Sequence, residues 1–83
     1  MKVLYFAWLK QKIGLAEEEV TLPAGVSDVA GLLDWLAARS PRHQEALARR
    51  SVVRVAVNQR YARPDCPVRP QDEVALFPPV TGG

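Results

Sequence analysis

The stretch EVALFPPVTGG, Glu73 to Gly83, decides how this chain is read. Val74 and Leu76 alternate with Ala75 and Phe77, the period of two that a strand imposes because successive side chains leave a pleated backbone on opposite sides. Pro78 and Pro79 then stop any ladder, since each lacks an amide hydrogen and has a fixed φ. The sequence closes on Gly82-Gly83. Glycine loses more backbone freedom on ordering than any other residue, so this pair adds nothing to a fold. At an average glycine content of roughly 7%, two in the last two places arise by chance in about one chain in two hundred. The tail is therefore expected to serve something other than folding.

Upstream, Val3, Tyr5 and Ala7 alternate with Leu4, Phe6 and Trp8, which predicts a first strand with two apolar faces, one for a core and one for a partner. A loop through Gly14 leads to a second strand over Glu19–Leu22, closed by Pro23 and Gly25. Ser27 or Asp28 caps a helix whose Val29, Leu32, Leu33 and Leu36 form one apolar stripe, ending near Ser40-Pro41. Trp35 lies off that stripe and is expected at a half-exposed edge. A weaker helical turn covers Pro41–Arg50, Val52–Val57 is a strand, Asn58-Gln59 a turn, and Arg60–Ala62 a short return. Pro64, Asp65 and Pro67 mark a loop before the last strand.

Two strands, a helix and then three strands fit an α+β fold in which a hairpin precedes a crossover helix packed on one face of a mixed sheet. This is the β-grasp arrangement, with about five strands and one main helix. It sets the first and last strands side by side, so the chain leaves the sheet from its centre. Residues 1–83 are expected to be a single domain, with 78–83 an extended tail.

The totals agree with that reading. Eighty-three residues at 48% hydrophobic content make one core, because so short a chain buries only roughly 60% of its unfolded surface. The lone Cys66 excludes an internal disulfide, zinc-type cysteine spacing is absent, and a cytoplasmic protein is expected. The apolar run Val3–Leu9 is followed by Lys10, Gln11 and Lys12 without a small-x-small cleavage site, which argues against a signal peptide. It is also far short of the roughly 20 residues a membrane span needs. From Arg39 to Arg69 eight arginines face only Glu45 and Asp65. They follow no regular spacing, and Tyr61 alone offers a ring for stacking, so a solvated basic face is expected rather than a nucleic-acid site. His43 stands without a second ligand nearby in sequence, which speaks against metal binding or catalysis by it.

Chemistry is then expected at the tail. A Pro-Pro spacer projects it, and Val80–Gly83 reach about 13 Å when extended. Without β-carbons, Gly82 and Gly83 pass between close walls and leave the terminal carboxylate unhindered. A carboxylate is a poor electrophile, so chemistry on it implies activation, most simply as a mixed anhydride with AMP. This sequence has no phosphate loop to do that itself, and a separate ATP-using enzyme is implied.

VLYFA at Val3–Ala7, AVNQ at Ala56–Gln59 and DEVALFPPVTGG at Asp72–Gly83 resemble the MoaD-type sulfur carriers, the small-subunit family of molybdopterin synthase. The resemblance runs along the whole chain, its tail being the specific part, and implies a ubiquitin-like fold. It further implies that an E1-like enzyme adenylates Gly83 with ATP and magnesium, and that a sulfur donor converts the acyl-adenylate to a thiocarboxylate. In that family the tail enters the large synthase subunit and gives sulfur to cyclic pyranopterin monophosphate, in a heterotetramer. The carrier keeps no permanent cofactor, holding AMP and sulfur only transiently on Gly83, and catalytic side chains belong to its partners. Partner contacts are expected from Pro79, Val80, Thr81 and Gly82, and from a patch of Phe6, Tyr61 and Phe77. Tyr61 stands where the family more often has an aliphatic residue, and Pro70-Gln71-Asp72 replaces a more usual Asp-Gly-Asp turn. Cys66 matches no sulfur-carrying position. Two other readings remain open: a carrier for thiamine thiazole or tRNA thiolation, and a ubiquitin-like adaptor whose tail is never activated.

Overall fold

The computed structural model describes residues 1–79; Val80, Thr81, Gly82 and Gly83 lie outside the described residues. Strand β1 (Lys2–Tyr5) is followed by helix α1 (Trp8–Ile13), strand β2 (Glu17–Glu19), helix α2 (Val29–Ala37) and helix α3 (Pro41–Ala46). A 3-10 turn (Arg50–Val52) then leads to β3 (Arg54–Val57), β4 (Arg60–Ala62) and β5 (Glu73–Phe77). The five strands form one mixed sheet in the order β2-β1-β5-β3-β4. β5 lies parallel to β1, with Tyr5 opposite Leu76, and antiparallel to β3, with Val55 opposite Leu76. The strand that leads to the tail is thus central, as the β-grasp order of elements implied.

Register sorts the side chains into two faces. Val3, Tyr5, Val55, Val74 and Leu76 point to one side, where they join Leu9, Ile13, Val29, Leu32, Leu33, Leu36, Ala46 and Leu47 of the helical layer in a single buried core. Asp28 caps α2, its Oδ1 accepting from the Gly31 amide at 2.8 Å, which settles the choice between Ser27 and Asp28. Trp35 is half-buried at the edge, with the Arg39 guanidinium 4.9 Å from its ring centre. At the hairpin between β3 and β4, Asn58 (φ 51°) and Gln59 (φ 69°) both take the left-handed region. Such a pair matches the twist of a two-residue hairpin.

Several boundaries differ from expectation. The first strand ends at Tyr5, and the residues read as its continuation and following loop form α1. Ala7 turns the chain with φ 55°, Leu9 and Ile13 bury one turn apart, and Gly14 closes the helix at φ 87°, its amide donating to the Lys10 carbonyl. The second strand is Glu17–Glu19 rather than Glu19–Leu22, because pairing with β1 sets Leu4 against Glu17 and Lys2 against Glu19. Glutamates are poor strand formers but suit an exposed sheet edge, where charge discourages further pairing. α2 stops at Ala37, short of Ser40-Pro41, since Ser40 is already the cap of α3. β3 begins at Arg54, because Arg50–Val52 wind into the 3-10 turn.

Candidate functional site

The other face of the sheet carries Lys2, Leu4, Glu73, Ala75, Phe77, Arg54, Ala56 and Tyr61, set by the same register. None of these belongs to the buried core, and every buried helical residue lies on the opposite side. Leu4, Ala56, Ala75 and Phe77 are half-buried, and Tyr61 is 81% exposed. Its ring meets that of Phe77 at 5.8 Å between centroids. Phe6, 48% exposed, is held beside β5 by its amide, which donates to the Leu76 carbonyl at 3.1 Å. That sets it one step beyond Tyr5, abreast of Phe77. The three aromatic residues singled out in the sequence therefore share the open face at the end where Pro78 and Pro79 leave β5, with ring contact between Tyr61 and Phe77. Pro79 is half-buried at the limit of the described chain.

A second cluster, which the sequence did not reveal, lies on the helical side. His43 is the one polar residue buried among the described residues, at 7% exposure. Its Nε2 stands 2.7 Å from Glu18 Oε2 and its Nδ1 2.7 Å from Ser40 Oγ. Tyr5 Oη donates to Glu18 Oε2 at 2.6 Å, and Arg39 reaches Oε1 at 3.4 Å. Burial alone would raise the Glu18 carboxyl, but the hydrogen bonds from Tyr5 and His43, with the charges of His43 and Arg39, outweigh it and hold the group below the ordinary glutamate value. Burial, reinforced by Glu18, pushes the Tyr5 phenol well above its ordinary value. Glu18 Oε2 accepts from His43 Nε2, and the Ser40 hydroxyl that faces Nδ1 also accepts, through its oxygen, from the His43 amide at 3.2 Å. Every group is satisfied, so the cluster clasps β1 and β2 to α3. Ser40 followed by Pro41 is a helix-start signal, and the middle of three strand glutamates faces opposite to its neighbours. The pairing across 25 residues of sequence has no local signal.

The arginine-rich segment is dispersed: Arg50 pairs with Asp34 at 2.9 Å, Arg39 with Glu18, and Arg54 lies on the open face. Cys66 is a half-buried free thiol in the loop before β5. No group of three His, Cys, Asp or Glu side chains among the described residues could hold a metal, and no helix there is long and apolar enough to cross a membrane.

A mixed sheet of this order, with helices on one face and its parallel central pair delivering the C-terminal segment, defines a ubiquitin-like β-grasp domain. The model of the ThiS family matches residues 3–83, and the chain belongs to that family. It is 41% identical over 83 residues to the molybdopterin synthase sulfur carrier subunit of Escherichia coli, covering 100% of this chain and 99% of that protein. The Arabidopsis thaliana subunit of the same name is 34% identical, with 100% and 82% covered. Among solved structures, a Pyrococcus furiosus protein provisionally described as molybdopterin converting factor, subunit 1, is 34% identical with a TM-score of 0.77, 95% of each chain being covered. The small archaeal modifier protein 1 of Haloferax volcanii is 27% identical with a TM-score of 0.79, covering 96% of this chain and 97% of that one.

Proposed function

We propose that this chain is the sulfur carrier of molybdopterin synthase, with Gly83 the carrying residue. The observation that carries the reading is the full-length likeness to proteins of that name, 41% identical in the case of Escherichia coli. The fold supports it, since β5 is gripped by a strand on each side and leads directly to Pro78 and Pro79. A carboxylate oxygen of Gly83 attacks the α-phosphorus of ATP on an E1-like enzyme, releasing pyrophosphate and leaving an acyl-adenylate. Hydrosulfide released by a sulfur donor then attacks the acyl carbon, AMP departs, the S–H proton goes to solvent and a thiocarboxylate is left. That group is ionised and nucleophilic near neutral pH, so no general base need come from the carrier. The tail next enters the large synthase subunit, where the sulfur passes to cyclic pyranopterin monophosphate, and the open face around Phe6, Tyr61 and Phe77 rests on that subunit. Val80, Thr81 and Gly82 thread the cleft, and the protein works in the cytoplasm as part of a heterotetramer.

The test is direct. Incubation with an E1-like enzyme, ATP, magnesium and a sulfur source gives the intact-mass gain of one oxygen replaced by sulfur, and the product converts the pterin precursor when the large subunit is added. Gly83→Leu abolishes both while the melting temperature stays put. An unchanged mass would instead make the protein an adaptor. A thiocarboxylate that serves only thiazole synthesis or tRNA thiolation would move it to another pathway.

A further inference from the structure

Charge on the open face is distributed unequally between its two ends. At the end remote from the tail the cations are paired within the chain: Lys2 with Glu17 at 3.4 Å and the N-terminal ammonium with Glu19 at 3.6 Å. At the tail end Arg54 lies directly across from Phe77 in the register and is exposed. Its Nη1 donates to the Ser51 carbonyl at 3.0 Å, and among the described residues no carboxylate comes within ion-pair distance of it. Arg54, Tyr61 and Phe77 border a shallow concavity of about 340 Å³. This ground lies at the root of the tail, because Phe77 is followed at once by Pro78 and Pro79. A protein that takes in the tail covers it.

Covering Arg54 beside two aromatic rings strips water from a permanent cation, and a charge so desolvated is tolerated only with a partner of opposite sign. A carboxylate is the group whose geometry suits a planar guanidinium, through two parallel hydrogen bonds. We propose that Arg54, flanked by Tyr61 and Phe77, recognises an aspartate or glutamate on the surface of the large synthase subunit, and that this pair selects the cognate partner. The proposal rests on the carrier assignment above. Tyr61 supplies a flat wall that shields the pair from solvent, a role for an aromatic residue that an aliphatic one fills less well. The apolar contacts bring area, and the ion pair brings discrimination and residence time.

The experiment measures affinity of the carrier for the large subunit of its own organism, with wild type, Arg54→Ala, Arg54→Glu and Arg54→Lys, at low and high salt. The expected result is a loss of about tenfold or more for Arg54→Ala and about a hundredfold or more for Arg54→Glu, mainly through faster dissociation. Arg54→Lys retains part of the affinity, as a point charge replaces a fork, and the salt dependence of binding shrinks in Arg54→Ala. Melting temperatures match throughout, since the side chain is exposed. Binding of all variants within about twofold of a tightly bound wild type would overturn the ion pair, leaving the carrier assignment intact. Failure of wild type itself to bind the large subunit would overturn both.

Discussion

The two faces of this sheet carry different parts of the protein's work. On the helical side every inward position is occupied: Val3, Tyr5, Val74 and Leu76 are at most 1% exposed, and the polar group buried among them, His43, has partners for both ring nitrogens. On the other side Leu4, Ala56 and Ala75 form a half-covered apolar strip flanked by Phe6, Phe77 and Tyr61. An uncovered sheet face of this kind is tolerable because its apolar groups are small or scattered, and useful because its large ones gather where the tail begins. Stability thus sits on one side, and the recognition proposed above falls on the other.

Substitutions can break that division or sharpen it. The largest effect is expected at Leu76, fully buried between β1 and β3. Leu76→Ala should cost about 2–5 kcal/mol through lost burial and the cavity left behind, read as a shift in the urea midpoint. For a domain this small, that is a large share of its total stability.

Next comes the clasp around Glu18. Its carboxyl titrates lower in the folded protein than in the unfolded chain, so its contribution is present above the ordinary glutamate value of 4.5 and is lost as pH falls through the folded value. Tyr5 has the opposite sense: its raised phenol contributes stability below pH 10.0 that is lost as pH rises beyond it. Unfolding free energy measured against pH should therefore fall at both ends. Glu18→Gln should flatten the acid limb at a cost of about 1–2 kcal/mol near neutrality, and Tyr5→Phe should remove the alkaline one. A Glu18→Gln profile identical to wild type would show that the clasp contributes nothing.

The smallest effect on folding belongs to the open face. Phe6→Ser and Tyr61→Ser should each move stability by about 0.5 kcal/mol or less, as surface changes usually do, while weakening attachment to the large subunit. A stability loss as great as that of Leu76→Ala would mean that this face is core after all.

How legible all this was depended on whether the deciding contact was local. β5 and the β3–β4 hairpin were readable because alternation and turn residues lie within a few positions of each other, and the α2 stripe because its spacing is periodic. α1 was not, since Val3–Trp8 alternates well enough to suggest one long strand and nothing in the sequence shows that Ala7 turns at φ 55°. β2 was displaced because three glutamates make a poor strand on propensity alone, and only pairing with β1 places them. On the candidate site, parity along the first and last strands set Phe6 and Phe77 out of phase with the core positions and the family resemblance named Tyr61, whereas the meeting of Tyr5, Glu18 and His43 depends on tertiary approach.

The parallel alignment of β1 and β5 has a mechanical side. In the proposed carrier role an enzyme would hold the chain by its tail, and tension applied at Pro79 would run along β5 between β1 and β3. Such a pull loads both ladders in shear, so that their hydrogen bonds resist together rather than opening one after another like a zipper. In that role the globule would withstand being tugged, turned and released without being unravelled by its handle.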